Sequence, residues 1–423
     1  MKFNQSVLLN GLRIVTIPMA DNPSVTILAM VEAGSKYESK KDNGLSHFLE
    51  HMLFKGTPRR PKASDISREL DSIGANYNAF TGQECTGYYA KADARHLDKI
   101  IDVVSDLYLN PLFDQNEMQK EKGVIVEEIR MYKDLPQQHV QDVIMELIYG
   151  DQPVGWNIAG TEENVRAFTR EQLLTYRNAN YVAKATVVMI AGSFDEKEVL
   201  KKISKVFSVI PDAAKSSKLK VKESQKSPQI KIEAKETDQA HIVIGQRTFS
   251  VHDKRIPTMD VLATILGHGM SSRLFSKMRD ELGICYYIKA EHNAFTDHGF
   301  FAISAGLDNT RIEIGIKNII LECERLKNES VSDAELKKVK DYIAGTTMLG
   351  LETSDARAMF CGDQEVIRGK IESPADIIAK INAVTAKDVQ KLAKEIFVNE
   401  GLNLAVVGRF KDSEEVREYF RFK

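Results

Sequence analysis

Residues 44 to 57 read GLSHFLEHMLFKGT and contain two of the nine histidines of this 423-residue chain. His47 and His51 stand four residues apart, and Glu50 directly precedes the second histidine. The Asp-Asn-Gly triplet just before Leu45 is typical of a turn that starts a helix, so the residues that follow are predicted to be helical. On a helix that advances about 100° per residue, the two imidazoles project from one face with Glu50 beside them.

The H-x-x-E-H pattern predicts a zinc site on this helix. Two imidazoles at positions i and i+4 can share one Zn²⁺, which takes tetrahedral nitrogen and oxygen ligands. The adjacent carboxylate of Glu50 can then accept a proton from a water that the metal activates. H-x-x-E-H is the inverted form of the H-E-x-x-H zinc motif. The competing interpretation is a pair of polar helix residues that are hydrogen-bonded within a core.

A catalytic zinc needs a third protein ligand, and the predicted helical segment at residues 120–134 offers three glutamates. Glu128 has apolar neighbours three and four positions away on both sides, where a carboxylate is costly unless it is paired or binds a metal. Glu127 has Arg130 on its more polar side. Glu121 lies two turns before Glu128 and can orient a ligand or be a solvated helix charge. Helical phase therefore favours Glu128 as the third ligand.

Composition and charge narrow the class of protein. Lys and Arg number 58 and Asp and Glu number 60, so neither nucleic acid nor an anionic membrane is expected as the main partner. No apolar run approaches the length of a membrane span, and no signal peptide is visible at the N-terminus. The four cysteines are scattered, as expected of reduced thiols. A cytoplasmic location is therefore expected.

The two halves of the chain contain an internal repeat. Residues 169–194 and 385–410 align without a gap at a shift of 216, which places Thr169 on Thr385. Each copy is typical of a helix with a threonine N-cap, followed by an apolar strand that ends at a glycine. The period is far longer than that of solenoid repeats, so the repeated unit is predicted to be a domain.

A polar, Lys- and Ser-rich stretch at residues 211–229 separates the two copies and is predicted to be a linker. The predicted domains are therefore residues 1–210 and 230–423. Strands and helices mix within each half, which indicates an α+β domain, a sheet covered by helices, that occurs twice. The predicted strands include residues 24–33 and 240–246, and the predicted helices include residues 95–109, 115–133 and 310–328.

These residues carry a resemblance to a known family. The chain resembles, over almost its whole length, the inverzincin metallopeptidases of the pitrilysin, insulin-degrading enzyme and mitochondrial processing peptidase family. There, H-x-x-E-H is followed by a glutamate pair spaced E-x-x-x-x-x-x-E, which Glu121 and Glu128 match. The resemblance implies His47, His51 and Glu128 as ligands of one Zn²⁺ per chain, Glu50 as general base, and Glu121 as a further group of the catalytic site. It also implies two homologous domains, each a mostly antiparallel sheet covered by helices, that make half of a clamshell.

Two further segments match the family. Arg279 and Tyr286 match its R-x-x-x-x-x-x-Y pair, which by resemblance reaches across a chamber to bind the substrate near the scissile carbonyl. Without the resemblance, Arg279 is interpreted as a surface charge and Tyr286 as a core residue. Asn78, Ala79, Phe80 and Thr81 match the segment beside the zinc where a peptide adds to an exposed sheet edge, and the first three are the predicted substrate-binding residues. The alternative there is an ordinary strand start with Phe80 in the core.

The predicted function is that of a zinc-dependent endopeptidase that cleaves peptides or unfolded segments within a dimeric chamber. The family closes its chamber with four such domains and this chain has two, so a second chain is expected. The metal motif and the Arg/Tyr pair lie in one chain, which favours a homodimer over a heterodimer with a paralogue. The alternatives are a specific presequence-processing peptidase and a non-enzymatic structural subunit.

Overall fold

Two β-sheets organise the chain in the computed structural model, which describes residues 1–410 and 414–423. The strands are β1 (Asn4–Val7), β2 (Arg13–Pro18), β3 (Ser24–Val31), β4 (Asn76–Thr81), β5 (Thr86–Asp93), β6 (Thr186–Gly192), β7 (Gln229–Ala234), β8 (Gln239–Thr248), β9 (Cys285–Ala294), β10 (Gly299–Asp308) and β11 (Asn403–Gly408).

Helices connect and cover these strands. They are α1 (Leu45–Leu53), α2 (Ala63–Asp71), α3 (Leu97–Leu109), α4 (Gln115–Asp134), α5 (Pro136–Tyr149), α6 (Glu162–Ala167), α7 (Arg170–Asn180), α8 (Glu196–Phe207), α9 (Ile256–Gly267), α10 (Arg273–Phe275), α11 (Ile312–Asn328), α12 (Asp333–Leu349), α13 (Ser354–Asp363), α14 (Pro374–Ala383), α15 (Ala386–Ile396) and α16 (Glu414–Tyr419). Two π-helical turns follow α10 and α13, at Ser276–Glu281 and Gln364–Arg368. Short 3₁₀ turns lie at Ser35–Tyr37, Lys40–Asp42, Ala94–His96, Pro153–Gly155, Ala183–Ala185 and Asn399–Gly401.

The two sheets share one topology. The first has the strand order β1-β2-β6-β3-β5-β4 and the second has the order β7-β11-β8-β10-β9. Without β1, the two orders correspond strand for strand. Each sheet has one parallel pair, β2 with β6 in the first and β7 with β11 in the second. All other strand pairs are antiparallel. The predicted α+β class, with two similar and mostly antiparallel sheets, is confirmed.

The internal repeat appears in the structure with the same offset. The bounds of α7 and α15 differ by 216 residues at both ends. Thr169 accepts a hydrogen bond from the Gln172 N–H, and Thr385 accepts the corresponding bond from the Asp388 N–H. Equal element bounds and equal caps support the duplication of one domain.

The central strands of the first sheet are buried on both faces. β3 and β6 consist of nearly continuous apolar residues, the pattern of strands that are covered on two sides. One face packs against α1, α3, α7 and α8, and the other packs against α13. The second sheet is covered by α9, α11 and α15 on one face and by α5 on the other.

The chain divides into two compact units that are not contiguous in sequence. Unit 1 comprises residues 1–129, 156–219 and 348–372, and unit 2 comprises residues 130–155, 220–347 and 373–423. The predicted division at the 211–229 linker differs from these units, because α5 belongs to unit 2 and α13 to unit 1. On α5, Val140 and Ile144 pack with Val243 of the second sheet, while on α13 Ala358 packs with Met30 of the first.

Two further observations concern the helices and the cysteines. Among the described residues, no helix combines the length and the apolar character that crossing a bilayer requires. All four cysteines are free thiols, and Cys323 and Cys361 are buried.

Candidate metal centre

Close backbone contacts place the start of α1. Gly44 precedes the helix with a φ of +104°, a left-handed conformation that favours glycine. A Cβ on Gly44 would lie 2.6 Å from the Ala159 carbonyl oxygen, and one on Gly160 would lie 2.3 Å from the Asn43 carbonyl oxygen. The loop before α6 is therefore packed directly against the start of α1.

A buried carboxylate caps the same helix end. Glu38 Oε2 accepts the Gly44 N–H at 2.8 Å, and its Oε1 accepts the Ser46 N–H at 2.6 Å. Burial raises the pKa of Glu38 to about 7, although these hydrogen bonds oppose the shift. The Asp-Asn-Gly triplet predicted where the helix starts, but the sequence has no local signal for a cap from Glu38.

Three predicted ligands converge between α1 and α4. Glu128 Oε2 lies 3.7 Å from His47 Nε2 and 3.5 Å from His51 Nε2. The candidate ligand atoms of the three residues all lie within 4.8 Å of one another. The neighbouring Glu127 side chain is exposed. Val124, one turn before Glu128, is 51% exposed, so Glu128 projects from an apolar face that is open to solvent rather than from a core face.

The distances between these residues and the low pKa of His47 fit a zinc ion. Tetrahedral ligands at bond lengths of 2.0–2.1 Å lie about 3.3 Å apart, close to the two measured separations. Burial, with the nearby charge of His51, lowers the pKa of His47 to about 3, so its imidazole is neutral, as a metal ligand must be. His47 Nδ1 is buried and has no hydrogen-bond partner within the described part of the chain.

Glu121 and Lys55 support the second histidine. Glu121 Oε1 lies 2.8 Å from His51 Nδ1, and Lys55 Nζ lies 2.6 Å from Glu121 Oε2. Burial opposes ionisation of Glu121, but these two bonds hold its pKa below the usual value. A carboxylate on Nδ1 leaves Nε2 of His51 free to bind a metal. Glu121 is buried and paired, which does not match the alternative of a solvated helix charge.

Glu50 lies on the same helix turn as the histidines. Burial raises the pKa of its carboxyl group, against the hydrogen bond from Thr81 and the charge of His51. Thr81 Oγ1 donates to Glu50 Oε2 at 2.5 Å. Burial likewise disfavours the charged form of His51, but the hydrogen bond and negative charge of Glu121 outweigh this effect and raise its pKa. Sequence reasoning placed Thr81 in the substrate segment but did not predict its contact with Glu50. It assigned no role to Lys55, although Lys55 stands four residues after His51.

The predicted substrate segment forms strand β4 at the edge of the first sheet. Among the described strands, β4 pairs only with β5. The Phe80 ring lies against Gly87, where an added Cβ would come within 2.4 Å of it, and Phe80 packs with the cluster under α13. The Asn78 side chain accepts the Ala79 N–H at 2.9 Å. The Phe80 side chain is thus engaged in packing.

Arg279 and Tyr286 form a pair in unit 2. Arg279 lies in the π-helical turn after α10, a feature often found at functional sites. Its Nη1 donates to the Tyr286 carbonyl at 2.6 Å, and its guanidinium lies 5.2 Å from the centroids of the Phe275 and Tyr286 rings. Tyr286 is 70% exposed, so the interpretation of Tyr286 as a core residue is wrong.

Comparisons with known proteins match most of the chain to peptidase family M16 models and to proteins named as zinc proteases. Residues 13–162 match the family model described as insulinase (peptidase family M16), and residues 167–343 match the one described as peptidase M16 inactive domain. The chain is 34% identical to the "uncharacterized zinc protease YmxG" of Bacillus subtilis, covering 92% of this chain and 95% of that protein. It is 32% identical to the "uncharacterized zinc protease SCO5738" of Streptomyces coelicolor, covering 98% of this chain and 91% of that protein.

Solved structures share the fold at lower identity. A protease from Helicobacter pylori matches with a TM-score of 0.91 and 23% identity, over 96% of this chain and 99% of its own. A peptidase M16 inactive domain from Pseudomonas fluorescens matches with a TM-score of 0.88 and 16% identity, over 98% of this chain and 100% of its own. These two similarities establish the two-domain fold.

The second domain lacks the histidine pair on α9, the helix that corresponds in position to α1. Helix α9 lies between β8 and β9, as α1 lies between β3 and β4. Residues 256–267 contain no histidine, and Asp260 is their only acidic residue. The histidine pair of α1 therefore has no counterpart on α9, which agrees with the description of the matched model as an inactive domain.

Proposed function

The chain belongs to the insulinase family, peptidase family M16, and from this premise we propose that it is a zinc-dependent endopeptidase that cleaves peptides or unfolded segments. The observation that carries the proposal is the convergence of His47, His51 and Glu128 around one point, with Glu50 on the same helix turn. The test is cleavage of an unstructured peptide of about 30 residues, followed by mass spectrometry, with zinc content determined on the same sample.

The residues of unit 1 divide the chemical work. His47, His51 and Glu128 would hold the zinc ion, which when bound supplies Lewis-acid polarisation of water and of the scissile carbonyl. Glu50 takes the proton of the attacking water and returns it to the leaving amine. Glu121 keeps the imidazole of His51 in the tautomer that offers Nε2.

The residues of unit 2 act on the substrate in this proposal. The Tyr286 hydroxyl donates to the oxyanion that develops on the scissile carbonyl, and Arg279 holds the substrate backbone. The exposure of Tyr286 supports this role, since its hydroxyl-bearing ring is open to a ligand. The bond from Arg279 to the Tyr286 carbonyl links the two residues and orders them together.

Lys55 is expected to strengthen zinc retention through Glu121. Lys55→Met removes one of the two partners of the Glu121 carboxylate, so Glu121 holds the His51 ring less firmly. The expected result is about a tenfold weaker affinity for zinc, measured by competition with a chromophoric chelator. Lys55→Arg keeps the cation, and Lys120→Met removes an exposed lysine that pairs with Glu117 instead. Equal affinities in Lys55→Met and Lys120→Met would refute this role.

The active assembly is proposed to be a homodimer in which unit 1 of one chain works with unit 2 of the other. The metal residues and the Arg279/Tyr286 pair are both present in this chain, so two copies supply two complete sites. The family's four-domain chamber favours two chains. A heterodimer with a paralogue is the alternative.

Mixing two inactive variants tests the shared site. Glu50→Gln lacks the base in unit 1, and Tyr286→Phe lacks the hydroxyl in unit 2. After exchange of subunits, half of the dimers carry one intact site of two, so the mixture is expected to recover roughly a quarter of wild-type activity. The control mixes Glu50→Gln with a Glu50→Gln, Tyr286→Phe double variant, which restores no site. A mixture no more active than its parts would exclude the shared arrangement.

The complete set of metal-site residues distinguishes this proposal from the structural-subunit alternative. A non-enzymatic subunit has no need of His47, His51, Glu50 and Glu128 in one cluster. Purified protein that contains no stoichiometric zinc, and that takes none up, would favour the structural role.

A further inference from the structure

Among the described strands, β4 has no strand partner on its edge away from β5, and residues 79 and 81 lie on that edge. The Gly82 N–H donates to the Cys85 carbonyl at 2.8 Å, so the backbone of Gly82 points toward β5. Backbone groups alternate along an antiparallel strand, so those of Ala79 and Thr81 point away from β5. The bond from the Ala79 N–H to the Asn78 side chain agrees with this direction, since β5 does not satisfy that donor.

The side chain of Thr81 points toward α1, the helix that carries Glu50. Successive side chains of a strand alternate between the two faces, so Thr81 shares a face with Tyr77 and Ala79. Tyr77 and Ala79 pack with the cluster that contains α1, whereas Phe80 packs with the cluster on the opposite face. The 2.5 Å bond from Thr81 Oγ1 to Glu50 Oε2 is the direct result of this orientation.

We propose that Thr81 is a positioning residue that couples the pairing of a substrate strand with β4 to the orientation of the Glu50 carboxylate. The inference rests on the proposed peptidase function. One residue carries both contacts: its outward backbone groups are available to an incoming strand, and its hydroxyl holds Oε2 of Glu50. When a strand pairs with residues 79 and 81, the backbone of Thr81 is fixed, and its hydroxyl then fixes the carboxylate. The other oxygen of Glu50 remains for the proton of the attacking water.

Thr81→Val and Thr81→Ser are a matched pair for the positioning role. Valine keeps the volume and loses the hydroxyl, whereas serine keeps the hydroxyl. With the peptide of about 30 residues, Thr81→Val is expected to lower kcat about tenfold with KM within about twofold and zinc content unchanged. Thr81→Ser is expected to keep wild-type kcat. Loss of zinc or of folded structure in Thr81→Val would reveal a structural role and overturn the positioning role.

A second arm tests the coupling to strand pairing. Peptides that carry a single N-methylated amide are prepared for each position within about three residues of the mapped cleavage site, since N-methylation removes one strand hydrogen bond. At the position that pairs with Thr81, N-methylation is expected to lower wild-type kcat about tenfold. In Thr81→Val, the same N-methylation is expected to lower kcat by less than about twofold relative to the unmodified peptide. The two changes act on one contact, so their effects should not add. Losses that multiply would overturn the coupling.

The outcomes separate this inference from the proposed function. If the wild-type protein with bound zinc cleaves no peptide, the proposed function fails. If the wild-type protein cleaves and Thr81→Val has wild-type kcat, the inference alone fails.

Discussion

Glu50→Gln is expected to lower kcat for peptide cleavage by about a thousandfold while leaving one zinc ion per chain. A positioned general base contributes roughly two to four orders of magnitude, and an amide cannot accept the proton of the attacking water. The ligand atoms of the candidate centre belong to His47, His51 and Glu128, so the metal set itself is unchanged. The measurement is the rate of cleavage of an unstructured peptide together with the zinc content of the same sample.

Glutamine has nearly the same size and shape as glutamate, so Glu50→Gln removes the base with little change in packing. Its side-chain carbonyl can still accept the Thr81 hydroxyl, so the contact between α1 and β4 is retained. A variant that lost zinc would show that Glu50 helps to hold the metal. Near-normal cleavage by pure, zinc-loaded Glu50→Gln would refute its role as the base.

The proximity of the candidate ligands could be predicted because helical geometry is local. His47 and His51 lie on one helix, and a spacing of four residues alone places their rings together. Helical phase also distinguished Glu128 from Glu127, and the structure brings Glu128 to the histidines. The reason was incomplete, however, because the apolar neighbour Val124 is half exposed and no core face forces Glu128 inward.

The supporting contacts could not be predicted because they join separate elements. Glu38 reaches the start of α1 from a preceding loop, and Thr81 reaches Glu50 from a strand. No spacing rule connects such pairs. The orientation of Phe80 could not be predicted either. A strand pattern predicts that side chains alternate between two faces, but not which face packs against α1.

The assignment of α5 to unit 2 and of α13 to unit 1 also depends on contacts between elements that are distant in sequence. An apolar stripe on α5 or α13 predicts that the helix covers a sheet, but both sheets offer similar apolar surfaces. A contiguous division at the polar linker was therefore the simplest prediction, and it differs from the compact units in the assignment of α5 and α13.

Glu128→Gln is expected to weaken zinc binding more than about a hundredfold and to abolish cleavage. The carboxylate supplies the one negative ligand of the set, and a neutral amide oxygen is a much poorer donor to Zn²⁺. Changes outside the first coordination sphere already cost about 10- to 100-fold in affinity, so the loss of a direct ligand should exceed that range. The measurement is zinc affinity by chelator competition, followed by the cleavage assay at saturating zinc.

Glu127→Gln is the matched control, because it makes the same chemical change one residue earlier on the same helix. Its side chain is exposed and lies outside the ligand cluster, so zinc affinity and kcat should remain within about twofold of wild type. The pair thus tests the helical phase itself. Equal losses in the two variants would mean that helix stability, rather than ligation, explains the effect. A loss confined to Glu127→Gln would place the third ligand on the other side of α4 and would require a different rotation of that helix in the metal-loaded protein.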